Sequence, residues 1–109
     1  MDNDGYVELV NAIMAQAADD YRGALKLYKS TTEQLADLEK MAELPHAPAA
    51  IRDRIKDTEN RRNGAIENMR QLEAFFLGRW TSTLTGGANM EYVIKKLKQE
   101  CGINDIPRH

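Results

Sequence analysis

Apolar residues return every three and four positions along the first two-thirds of the chain. Val7, Val10, Met14, Ala17, Tyr21, Ala24, Tyr28, Thr31, Leu35, Leu38 and Ala42 keep this alternation, and after Pro45 and Pro48 it resumes through Ile51, Ile55, Thr58, Arg62, Ala65, Met69, Leu72 and Phe76. Such spacing puts each set on one narrow stripe of a helix. A narrow stripe is not buried alone, so the pattern predicts that the two helices fold back on each other. The expected fold class is all-α: a long antiparallel helical hairpin, coiled-coil-like, plus a short C-terminal helix, in a single domain spanning residues 1–109.

Helix-end signals divide the chain further. Asn3 or Asp4 can cap a first helix over residues 5–44, with Glu8 suited to its positive end. Gly23 and the run Ser30-Thr31-Thr32 are its weak points. A proline turn is expected at 45–48, because Pro45 disfavours helical geometry at Leu44 and Pro48 fits the first position of a new helix. The second helix is predicted over 48–79, a loop or one short turn over 80–88, a third helix over 89–101 with Asn89 as cap, and a tail over 102–109. Met90, Val93, Ile94, Leu97 and Cys101 mark the apolar face of the third helix, and Gly102 supplies a stop. Folding at the turn sets Ile51 against Met41, Ile55 against Leu38 and Thr58 against Leu35. Arg62 falls near Thr31, Ala65 faces Tyr28, Met69 faces Ala24, Leu72 faces Tyr21 and Phe76 faces Ala17. Large residues repeatedly meet small ones, which favours interdigitation.

A thin, elongated core of 109 residues predicts completion by self-association, as a homodimer or higher homo-oligomer. The net charge of −2 argues against general binding to a phosphate backbone. Its distribution is uneven: residues 1–44 hold nine acids and four bases, residues 45–79 five acids and seven bases, and residues 80–109 three acids and four bases. The bland reading is complementary charge between two antiparallel helices; the alternative is a local anion site on the second helix or the tail. Cys101 is the one cysteine, so no disulfide forms within a chain, and a reducing, cytoplasmic setting is expected. The sequence Met1-Asp2-Asn3-Asp4-Gly5 has neither the basic nor the apolar region of a signal peptide, and no stretch is apolar enough to span a membrane.

Candidate chemistry is sparse. His46 and His109 have no second ligand at helical spacing, and Asp2-Asn3-Asp4-Gly5 lacks the ligand spacing of a calcium loop, so no metal is expected. Cys101 has no histidine near it in sequence, and Gly86-Gly87 follows no strand, so neither a nucleophile nor a phosphate-cradling loop is expected. No catalytic residue and no cofactor emerges. Two constellations remain. Arg62 sits in the hairpin seam, where a guanidinium needs a partner. The bland reading is a registry device bonded to Thr31, an acid or water. The functional reading is an anion site made by Arg61 and Arg62, with Lys95, Lys96 and Lys98 as further cations, completed across an oligomer interface. The second constellation is Phe75-Phe76-Leu77-Gly78-Arg79-Trp80. Successive residues point about 100° apart on a helix, so Phe75, Phe76 and Trp80 cannot all face the first helix. Either the third helix covers them through Tyr92 and Leu97, or Phe75, Arg79, Trp80 and Tyr92 form a partner-binding patch, since such residues dominate interface hot spots.

The segments Ala17-Ala18-Asp19-Asp20-Tyr21-Arg22-Gly23-Ala24-Leu25-Lys26, Phe75-Phe76-Leu77-Gly78-Arg79-Trp80, Leu84-Thr85 and Tyr92-Val93-Ile94-Lys95-Lys96-Leu97-Lys98 resemble small uncharacterised helical proteins of phages and integrated elements from Gram-positive gut bacteria. The resemblance implies a mobile-element setting and no particular activity. The expectation is a non-enzymatic binding protein, an accessory or inhibitor directed at a host or phage protein and suited to counter-defence. The alternative is a binder of a nucleotide or nucleic acid through the arginines and lysines.

Overall fold

Both predicted stripes turn toward each other in the computed structural model, which describes residues 3–103. The elements are α1 (Asn3–Ala42), α2 (Ala50–Leu77), α3 (Arg79–Leu84) and α4 (Met90–Glu100), with no strand among the described residues. The fold is a long helical hairpin of α1 and α2 with short helices beside it. From the first stripe Ala17, Tyr21, Ala24, Tyr28, Thr31, Leu35 and Leu38 are buried, and from the second Ile51, Thr58, Ala65, Met69 and Phe76. The described chain is a rod of 70 × 21 × 21 Å. Its radius of gyration, 18.3 Å, exceeds the roughly 13 Å of a compact domain of this length.

The turn occupies residues 43–49. Glu43 and Leu44 donate to the carbonyls of Lys40 and Met41 at 3.3 and 3.2 Å, closing α1 with tightened turns before Pro45. Ile51 N donates to Pro48 O at 3.1 Å, so Pro48 and Ala49 lead into α2 as a short turn ahead of its first residue. The cap expected at Asn3 or Asp4 rests on side chains outside those described. Residues 104–109, most of the expected tail and including His109, also lie outside them.

Of the loop or short turn expected over 80–88, the first part is the short helix α3. α2 stops at Leu77 because Gly78 takes an extended conformation with ψ 158°, and α3 then restarts at Arg79. Three hydroxyls support it: Thr81 donates to Phe75 O, Thr83 to Arg79 O and Thr85 to Thr81 O. Hydroxyl residues rank low as helix formers because they bond backbone groups; here those bonds fasten a six-residue turn to the end of α2. Gly86 and Gly87, both at positive φ, close it, with Gly87 N donating to Ser82 O at 2.8 Å and Gly86 N to Thr83 O at 3.5 Å.

α4 packs on one side of the hairpin. Asn89 caps it, its side chain accepting from Tyr92 N at 3.1 Å. Ile94, Leu97 and Ile103 join Ala17, Tyr21, Leu25, Ile66, Met69 and Phe76 in one cluster. Arg22 bonds Glu100 at 2.8 Å, and its guanidinium holds the Glu100 carboxyl below its usual range. Lys98 lies 3.9 Å from Glu73. The core is therefore three helices thick from Ala17 to Tyr28 and two helices thick beyond Thr31.

Candidate functional site

α2 ends on three consecutive large apolar residues, Phe75, Phe76 and Leu77, whose 100° steps separate their roles, and α3 adds Trp80. Phe76 is fully buried and meets the Tyr21 ring edge-on at 5.9 Å. Phe75, half-buried, bridges Phe76 at 5.8 Å and Trp80 at 5.6 Å. Leu77 and Trp80 are left 55% and 54% exposed. The kink at Gly78 sends Trp80 back toward Phe75, and a Cβ at position 78 would stand 3.1 Å from Ala74 O. The result is a staircase of rings, buried at Phe76 and open at Trp80.

Of the two residues expected to cover the aromatic end, Leu97 is buried in the core cluster against which Phe75 packs. Tyr92 is exposed, carries Lys96 Nζ 5.5 Å from its ring centre, and makes no ring contact with Phe75 or Trp80 among the described residues. Phe75 and Trp80 are thus brought together, with exposed Arg79 beside Trp80 in sequence, while Tyr92 stands apart from their rings.

The basic residues are dispersed. Lys95 and Lys96 are exposed on α4, and Lys98 is drawn to Glu73. Glu73 precedes Phe76 by one turn and lies 11 residues from Arg62 along α2, a separation of about 17 Å. Within one chain Arg62 is therefore well separated from Lys98. Arg61 lines a groove with Arg54, Asp37, Asp53 and Asp57, where three carboxylates face two guanidinium groups. Arg62 is half-buried, and its Nε has no hydrogen-bond partner among the described residues. It makes no bond to Thr31, whose hydroxyl donates within its own helix to Leu27 O at 2.7 Å and Tyr28 O at 3.1 Å.

Tyr21 sits at the centre of the three-helix part. Its buried hydroxyl donates to Glu73 Oε2 at 3.0 Å. Burial first, and the neighbouring carboxylate second, push its pKa well above the usual tyrosine range. Leu72, its expected partner, packs against the cluster that contains Tyr21 and also lines a shallow groove with Ala12, Ile13, Gln16, Ala17, Asp20 and Phe75. Helical side chains lean toward the helix N-terminus, which carries Tyr21 to Glu73 and Phe76. The groove is absent from the seam pattern; its sequence signal is a second apolar spacing, Tyr6, Leu9 and Ile13, beside the first.

His46 is exposed in the turn, and Cys101 is a half-buried free thiol at the end of α4. No group of three or more His, Cys, Asp or Glu suited to a metal occurs among the described residues, and no helix there is long and apolar enough to cross a membrane. No protein-family model, curated protein or solved structure matches the chain, so the reading of its site rests on this geometry.

Proposed function

We propose that this chain is a non-enzymatic protein-binding module whose contact surface is the aromatic end of the hairpin. The observation that carries the reading is Trp80: a large ring, half open to solvent, seated on Phe75 and anchored through it to buried Phe76. A rigid, partly exposed indole loses little entropy on docking, and Trp, Tyr and Arg are enriched among residues that dominate interface energies. Leu77 and Arg79 extend the surface with an apolar and a cationic group. The resemblance to mobile-element proteins supports an accessory or inhibitor role against a host or phage protein, including counter-defence. Dispersal of the basic residues and the carboxylates around Arg61 give nucleotide or nucleic-acid binding less support.

The test is capture from host and phage lysates, followed by titration of each captured protein, purified, against the wild type and Trp80→Ala. The expected result is at least a tenfold loss of affinity in Trp80→Ala with the far-UV helical signal unchanged. Equal affinity for both, or a variant that unfolds because Trp80 is part of the core, overturns the assignment.

A further inference from the structure

The hairpin of α1 and α2 has two flanks, and α4 covers one of them, touching both helices. There its apolar side joins Leu25, Ile66 and Met69 in the core. Polar ties fasten it: Arg22 bonds Glu100, Lys98 lies near Glu73, and Lys29 donates to the Cys101 carbonyl. Positions 13, 16, 20 and 23 of α1 lie on the other side of the seam from 22, 25 and 29. On that open flank two grooves adjoin. The first, about 440 Å³, follows α1 from Ala12 to Asp20. The second, about 620 Å³, shares Asp20, Leu72 and Phe75 with it and adds Asp19, Gly23, Asn68 and Gln71. Together they run from Ala12 to Gly23, about 17 Å or three helical turns, which is the span of the 11-residue α4.

The floor of this trough is apolar, with Ile13, Ala17, Leu72 and Phe75. Its rim carries charge of one sign. Asp19 and Asp20 are exposed there, and neither groove is lined by a lysine or arginine. Asp19 is held by Arg22 at 2.9 Å, whereas Asp20 makes no ion pair among the described residues and takes a hydrogen bond from Gln16. On the covered flank α1 offers cations and α4 answers with an acid and a carbonyl; on the open flank α1 offers acids. An apolar floor with an acidic rim fits an apolar helical stripe flanked by basic residues. Phe75 joins the trough to the aromatic end, since it walls both grooves and carries the Trp80 ring.

We infer that the protein partner lays an amphipathic helix along this open flank, apolar toward Ile13, Leu72 and Phe75, with a lysine or arginine against Asp20. The inference rests on the protein-binding function proposed above and names the chemistry of the partner. The probe is a displayed library of helical peptides of about four turns, with a fixed apolar stripe and flanking positions free to be Lys, Gln or Glu. Selection on the full chain is expected to enrich Lys over Glu at least fivefold. The selected peptide, synthesised with a dye, is titrated by anisotropy. Asp20→Lys should weaken it at least tenfold with the far-UV helical signal unchanged, and its Glu-flanked counterpart should then bind the variant more tightly than the wild type. A selected pool without excess Lys, or equal affinity for wild type and Asp20→Lys, overturns the inference. Should Asp20→Lys not fold, the wild type decides: equal affinity for the Lys and Glu peptides overturns it. A captured protein that loses affinity in Trp80→Ala and keeps it in Asp20→Lys also overturns it while leaving the aromatic surface standing. Loss in Asp20→Lys alone supports the trough and removes Trp80 from the contact.

Discussion

At the scale of single residues, the seam holds two polar groups with opposite solutions. Tyr21 is wholly buried and satisfied, its hydroxyl donating to Glu73. Arg62 is half-buried with its Nε unserved, so its contribution to the seam comes from its aliphatic stem. The Tyr21 arrangement carries a pH signature. Below about pH 10, the ordinary tyrosine value, Tyr21 is protonated whether the chain is folded or unfolded, and its contribution is fully present. Above that value the unfolded chain loses the proton while the folded chain retains it, so stability falls as pH rises. Tyr21→Phe is expected to cost about 1 kcal/mol at pH 7 through loss of the hydrogen bond. That difference from the wild type should shrink between pH 10 and 11. Urea midpoints across this range are the measurement, and an unchanged difference would show that the hydroxyl is not held protonated by the fold. Arg62 was visible in the sequence because it interrupts an apolar series. Leu25 and Ile66 were not, since they lie just off that series and are buried by α4; a wider apolar arc at Tyr21–Leu25 and Ala65–Ile66 was the signal for a third helix.

At the scale of elements, helix type was legible wherever a stripe was long, and illegible where side-chain-to-backbone bonds build the turn. α3 is the instance: Thr81-Ser82-Thr83 reads as a loop or one short turn from propensity, and the Thr81 and Thr83 hydroxyls close onto the carbonyls of Phe75 and Arg79 on either side of Gly78. The stop at Gly102 was legible because it uses backbone geometry that glycine provides. Gly102 has φ 72°, its N–H donates to Gln99 O at 3.0 Å, and Ile103 N donates to Lys98 O at 2.8 Å. This doubled closure turns the chain so that Ile103 enters the core. A Cβ at position 102 would also meet Lys29 Nζ at 2.9 Å, the flexible end of a side chain. Gly102→Ala is therefore expected to destabilise the end of α4 by about 1 kcal/mol, chiefly through backbone strain. Amide exchange should rise along α4 and remain unchanged from Thr31 to Leu38. Uniform acceleration in both regions would mean that α4 and the far hairpin open as one unit.

At the scale of the whole molecule, the rod has a thick end and a thin end. α4 thickens the part around Tyr21 and Phe76, and the aromatic surface and the open groove both lie at this end. The antiparallel hairpin was legible because two stripes of matching period flank a proline turn. The side on which α4 docks was not, because the hairpin pattern describes only the faces that α1 and α2 turn to each other. Every functional argument depends on α1 and α2 lying side by side within one chain, since only that brings Phe76 to Tyr21 and makes the groove between Ala17 and Leu72. The most direct measurement is the distance between spin labels at exposed Lys26 and Glu67, each changed to cysteine in a Cys101→Ser background and diluted with unlabelled protein. Side-by-side helices predict about 25 Å, from a helix spacing of 8–10 Å plus the two label arms, unchanged by dilution. A separation near 60 Å, as from helices set end to end, or a short distance that disappears on dilution, would contradict the account.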